Sequence, residues 1–143
     1  MTAFVVDASV AAKWYLPSKD EMLVAEARQL LDSFTRGKLR LFVPDLFWAE
    51  MGNLLWKAVR TGKVVKDVAV SSMTQIRELN LPTYSSYDLL PDALQIALRY
   101  DRPVYDSLYV ALAVRSATDL ITADERLANA LAAHLPVKWL GIV

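Results

Sequence analysis

Short apolar runs alternate along the chain with longer stretches in which apolar residues recur at helical spacing, as expected when helices connect the strands of a parallel sheet. The first run, Phe4 to Val6, predicts a buried strand that stops on an acid, Asp7. Leu23, Ala27, Leu30, Leu31 and Phe34 share one stripe and predict a helix over 20–34, with Ser18 and Glu21 spaced as a capping box and Gly37 placed to stop it. "LRLFVP" at 39–44 predicts a second strand, and a helix follows over 45–61 with Gly62 at its end. The apolar residues of that helix surround it enough to suggest burial on several sides. A further helix over 65–79 and a short strand at "LPTY" come next. Pro91 suits an early position of a helix running to Tyr100, while Asp101 and Arg102 before Pro103 mark a turn. "YDSLYVALAVRSA" predicts a helix apolar almost all round, hence central. "DLIT" reads as a strand, "ADERLANALAAHL" as a helix and "VKWLGI" as a terminal strand.

Four or five strands with intervening helices predict one three-layer α/β/α domain over 1–143, with a central parallel sheet and ligands collecting at the carboxyl ends of its strands. No repeat or linker composition interrupts it. The length suits one domain, and the 55% apolar content exceeds the ~45 to 50% usual for soluble domains. No apolar run approaches the ~18 residues that would span a bilayer. The surplus apolar surface hints at a protein partner.

Charge and rare residues narrow the chemistry. Sixteen basic residues balance sixteen acids, so a polyanion must be held locally rather than by a general field. The chain has no cysteine, which removes thiolate nucleophiles, disulfides and thiolate metal sites, and fits a reducing compartment. A lone His134 excludes a His-rich metal site and disfavours a Ser-His-Asp triad. No export signal is visible at the N-terminus, and a cytoplasmic protein is expected. Carboxylates are left to carry the chemistry.

Four acids stand out by position. Asp7 ends the first strand, Glu50 lies in the helix leaving the second, Asp106 begins the central helix and Asp124 begins the helix after "DLIT". All four are expected near strand-to-helix junctions on one rim. Carboxylates about 4 Å apart repel by a few kcal/mol at an effective dielectric near 20, so a converging set needs a cation. All-oxygen donors suit Mg²⁺ or Mn²⁺, which can orient a phosphate and acidify a bound water. Each acid also has an ordinary reading. Asp106 and Asp124 suit the positive end of a helix dipole, Thr122 with Glu125 has capping-box spacing, Glu50 fits a solvated helix face and Asp7 a turn.

The motifs around these acids, "VVDASVAAKW", "PDLFWAEMGNLLWKA", "VYDSLYVALA" and "LITADERLANAL", resemble in order the motifs of PIN-domain proteins, in particular VapC-type toxin ribonucleases. The resemblance covers nearly the whole chain. It implies an acidic pocket in which Asp7, Asp106 and Asp124 hold one or two Mg²⁺ or Mn²⁺ ions, with Glu50 as a further metal ligand or orienting the attacking water, and RNA is cleaved to a 5′-phosphate and a 3′-hydroxyl. Asn53, three residues after Glu50, matches a polar position of its motif, and Ser9 and Thr122 are candidates to fix carboxylate rotamers. Lys13, Lys57, Arg60 and Lys63 lie near the expected rim as candidate RNA-phosphate contacts. Trp14, Tyr15, Trp48 and Trp56 suit either base stacking or core packing. The implied partners are a second copy of the chain and a small VapB-type antitoxin.

Three other readings compete. A non-catalytic PIN-like module would bind RNA or protein without cutting. An aspartyl-phosphate phosphatase also places an Asp after its first strand, but wants a second acid where Ser9 stands. A receiver-like domain wants paired acids at that strand's end, and Asp7 is followed by Ala8.

Overall fold

In a computed structural model, residues 1–17 and 23–143 are described. The chain forms β1 (Thr2–Val6), α1 (Ala8–Tyr15), α2 (Val24–Thr35), β2 (Leu39–Pro44), α3 (Leu46–Arg60), α4 (Lys66–Glu78), β3 (Thr83–Tyr84), α5 (Ser86–Tyr100), α6 (Val104–Ser116), β4 (Asp119–Thr122), α7 (Glu125–Leu131) and β5 (Val137–Trp139), then one 3₁₀ turn, Leu140–Ile142. The strands make one sheet in the order β3-β2-β1-β4-β5. Every pairing is parallel, with Phe4 of β1 beside Leu41 of β2 and Asp119 of β4.

From β1 the chain steps outward through β2 to β3, then returns past β1 to β4 and β5. Right-handed crossovers therefore put α1 to α4 on one face and α5 to α7 on the other. Their packing follows this division: α1 touches α2 and α3, while α5 lies against α6. The direction reverses at β1, where the neighbouring connections leave toward opposite faces and open a crevice at the carboxyl edge. Val5, Val6, Leu41, Val43, Leu120 and Ile121 are buried, so this edge stands on a rigid apolar base. No helix among the described residues is long and apolar enough to cross a membrane.

Several elements depart from expectation for identifiable reasons. α1 spans only two turns, too short for its periodicity to register, and is started by Asp7, whose side chain accepts the Val10 N–H. Its Trp14 indole donates to the Ala27 carbonyl at 2.8 Å, which ties it to α2. The expected capping box at Ser18 and Glu21 lies outside the described residues. α3 buries one stripe, Phe47, Met51, Leu55 and Ala58, rather than several sides, and leaves Trp56 exposed beneath Arg60. α5 begins at Ser86, capped by Ser85, so Pro91 sits inside the helix instead of near its start. The hydrogen bond lost there is offset by the cap and by burial of Leu89 and Ala93. α7 stops at Leu131, short of Pro136, and β5 ends at Trp139 because buried Leu140 turns inward as the chain meets α2.

Candidate active site at the carboxyl edge of the sheet

Asp7 leaves β1 at the reversal point and is buried. Its backbone N–H reaches the Ile121 carbonyl of β4 at 3.4 Å. The Ser9 hydroxyl donates to Asp7 Oδ1 and accepts the Ala123 N–H at 3.0 Å, fastening the start of α1 to the end of β4. Fully buried Thr122 also hydrogen-bonds the Asp7 side chain and accepts the Asp124 N–H at 3.0 Å. Burial pushes the Asp7 carboxyl up to about 6, against the opposing hydrogen bonds from Ser9, Thr122 and the Val10 amide, and the charge of Glu50 adds to the rise. The capping-box role considered for Thr122 belongs instead to Asp124, whose carboxylate accepts the Arg126 and Leu127 N–H groups at 3.0 and 3.3 Å.

Glu50 is half-buried on the second turn of α3, and Asn53 follows it on the exposed part of the same face. Burial raises the Glu50 carboxyl above its ordinary range, a hydrogen bond from Tyr109 lowers it, and Asp106 raises it again. Tyr109 is a residue that sequence reasoning missed. It is buried on α6, and its hydroxyl donates to Glu50 Oε1 at 2.5 Å and also meets the Ala8 backbone. Burial and the carboxylates around it hold the phenol far above its usual range, so it remains a donor. The available signal was its position three residues after Asp106, one helical turn on.

Asp106 does not follow a strand, as expected, but lies in the first turn of α6 after the α5–α6 connection. It still reaches the rim. Only Ala117 and Thr118 separate the last residue of α6, Ser116, from β4, so the helix runs antiparallel to the strand and begins at the carboxyl edge. Burial raises the Asp106 carboxyl, Arg102 lowers it and the charge of Asp124 raises it. Arg102 donates to Asp106 Oδ2 at 3.4 Å. The acids thus act on one another in succession, Asp7 with Glu50, Glu50 with Asp106 and Asp106 with Asp124. Among the described residues no three Asp, Glu or His side chains converge tightly enough to hold one cation as they stand.

Two adjoining grooves flank the acids. The first, about 480 Å³, is lined by Ser9, Leu46, Glu50, Asn53, Leu54 and Tyr105 among others. The second, about 460 Å³, shares Ser9 and Leu54 with it and carries Lys13, Lys57 and Lys63. Arg60 lines neither of these grooves and lies over the Trp56 ring at 5.3 Å. Trp14 is buried and Tyr15 and Trp48 are half-buried, which favours their packing role, and only Trp56 offers much free ring surface.

A parallel sheet with helices on both faces and carboxylates along its carboxyl edge defines the class: an α/β domain with an acid-lined crevice at its strand-order reversal. Within that class the chain belongs to the PIN-domain family, whose model matches residues 4–131. Over 131 residues it is 34% identical to Ribonuclease VapC3 of Pyrobaculum aerophilum, covering 87% of this chain and 92% of that protein. The crystal structure of PAE2754 from Pyrobaculum aerophilum shares the fold at a TM-score of 0.71 and 22% identity, covering 99% of this chain and 85% of that one. A toxin-antitoxin complex from Klebsiella pneumoniae contains a similar fold, with TM-score 0.64, 14% identity and coverage of 94% and 95%.

Proposed function

We propose that this chain is a divalent-metal-dependent endoribonuclease and the toxin half of a VapBC-like toxin-antitoxin pair. One observation carries the reading: Asp7, Glu50, Asp106 and Asp124 come from four separate segments, yet each acts on the charge of the next along one edge of a PIN fold. The similarity to a ribonuclease supports RNA as the substrate.

The donor set fits Mg²⁺ or Mn²⁺ in kind, since it is all oxygen, and the four carboxylates are the groups that would hold one or two ions. Such an ion supplies a polarised phosphate and a water acidified for attack. The remaining work falls to the chain. Ser9 and Thr122 hold Asp7 in one rotamer. Tyr109 holds Glu50 at the mouth of the first groove, where it can orient a water. Asn53 offers donors and acceptors to a sugar or phosphate in the same groove. Lys13, Lys57 and Lys63 supply local positive charge that the zero net charge does not. Arg60 is a weaker candidate because its guanidinium already lies over Trp56.

The test is cleavage of a mixed RNA substrate by the purified protein in Mg²⁺ or Mn²⁺ and in EDTA. Cleavage is expected with either cation, to disappear in EDTA, and to fall at least about 100-fold in Asp106→Asn. Cleavage that survives both EDTA and Asp106→Asn rules the reading out.

The proposed protein partners are a small antitoxin, supported by the complex of similar fold, and a second copy of this chain. A cytoplasmic site of action is part of the same proposal. Tyr87, Leu90, Leu94 and Leu98 form an exposed stripe on α5, with Tyr87 at 81% and Leu98 at 76% exposure. A two-fold pair of such stripes would bury one another. The double variant Leu94→Asp/Leu98→Asp is expected to sediment as a monomer where the parent sediments as a dimer. A parent that is monomeric at high micromolar concentration removes the second copy from the proposal.

A further inference from the structure

Arg102 is the one cation within hydrogen-bonding reach of the four acids among the described ion pairs, and its setting is unlike that of a structural salt bridge. It occupies the three-residue connection between α5 and α6. Asp101 ahead of it is left-handed at φ 54°, its own N–H reaches the Ala97 carbonyl at 3.2 Å, and Pro103 behind it fixes the next φ. The backbone is therefore held, and the side chain lies along the first turn of α6 toward Asp106. That is the positive end of a helix, where a cation is unfavourable in itself. Helix stability does not account for an arginine there.

The contacts point the same way. Of five guanidinium donors, one is recorded on Asp106, at a long 3.4 Å, and the Nε–H is buried with no partner. The two side chains keep 25% and 36% exposure, so the pair is neither fully buried nor free. An optimised structural pair would engage the carboxylate with two donors and leave no buried N–H unmade. What the arrangement does supply is positive charge at Asp106, which stands between Glu50 and Asp124 in the succession of acids.

We propose that Arg102 is the resident counter-ion of the acidic edge: it neutralises Asp106 in the cation-free protein and gives that carboxylate up when a divalent cation enters. This rests on the metal-dependent reading above. It accounts for acids that share one edge without converging, since one of them is turned to a guanidinium. It also makes Arg102 a competitor of the metal, so that removing the charge improves cation binding instead of weakening it.

The test is Mn²⁺ titration by calorimetry of the wild-type protein, Arg102→Gln and Arg102→Lys. Arg102→Gln is expected to bind Mn²⁺ about five- to tenfold more tightly, and to gain more in melting temperature from Mn²⁺ than the parent does. Arg102→Lys, which keeps the charge, is expected to stay within about twofold of the parent. Arg115→Gln, which breaks the exposed pair with Asp92, is the control and leaves Mn²⁺ affinity unchanged. Should Arg102→Gln fail to fold, Mg²⁺ titration of the wild type followed through the arginine Nε–H resonances decides: Arg102 shifts and Arg115 does not. Equal or weaker Mn²⁺ binding by Arg102→Gln, or an Arg102 resonance indifferent to Mg²⁺, overturns the inference. A wild-type protein that binds no Mn²⁺ overturns the metal-dependent reading itself, so the two failures are distinguishable.

Discussion

Asp7→Asn is expected to melt several degrees higher than the parent at pH 7.5 in EDTA and to lose RNA cleavage by at least about 100-fold. Both effects come from the same burial. The carboxyl is raised from 3.8 to about 6, so at neutral pH the folded state carries an ionised group that its surroundings disfavour. A rise from 3.8 to about 6 corresponds to roughly 3 kcal/mol of destabilisation. The sign follows from proton uptake. Between pH 3.8 and about 6 the folded protein holds the proton more tightly than the unfolded chain, so stability falls as pH rises through that window. The penalty is complete above about pH 6 and absent below pH 3.8. Asparagine keeps an oxygen for the Ser9 hydroxyl and the Val10 N–H and carries no charge. The gain in melting temperature should therefore be largest at pH 7.5 and shrink toward zero as the pH is lowered to 3.8. Equal melting temperatures at pH 7.5 would show that Asp7 is not disfavoured by its burial.

That conflict between stability and site was legible in the sequence as an acid directly after an apolar strand. Most of the framework was legible as well, because strands such as "LRLFVP" and "DLIT" are largely buried runs and α6 is apolar almost all round. The same reading failed where one local signal had two meanings. Pro91 fits a helix start by itself, and only the Ser85 cap and the contacts of Leu89 and Ala93 show it to be interior. Asp106 was placed on the right edge by a wrong route, since α6 is preceded by α5 and not by a strand. Arg102 and Tyr109 were passed over because a turn before proline and an aromatic in an apolar helix are ordinary features. Their meaning comes from partners four residues and fifty-nine residues away, and only the second of these is a matter of tertiary structure.

Tyr109→Phe isolates that long-range contact. It removes one oxygen from a buried ring and should leave the packing of α6 intact. A hydrogen bond to a charged group contributes about 1.5 to 3 kcal/mol, so the loss of a positioned Glu50 predicts cleavage slower by roughly 10- to 100-fold. The stability change should be small, because Glu50 is half-exposed and can turn to water. The pH dependence carries the sharper signature. Tyr109 donates to the ionised form of Glu50 and lowers its carboxyl, while burial and Asp106 raise it. Without the hydroxyl the raising influences are unopposed, and Glu50 ionises at higher pH. The acid limb of the cleavage profile in Tyr109→Phe should move upward in pH, with partial recovery of rate under alkaline conditions. A uniformly slower enzyme with an unmoved acid limb would mean that Tyr109 supports the fold of the edge and not the ionisation of Glu50.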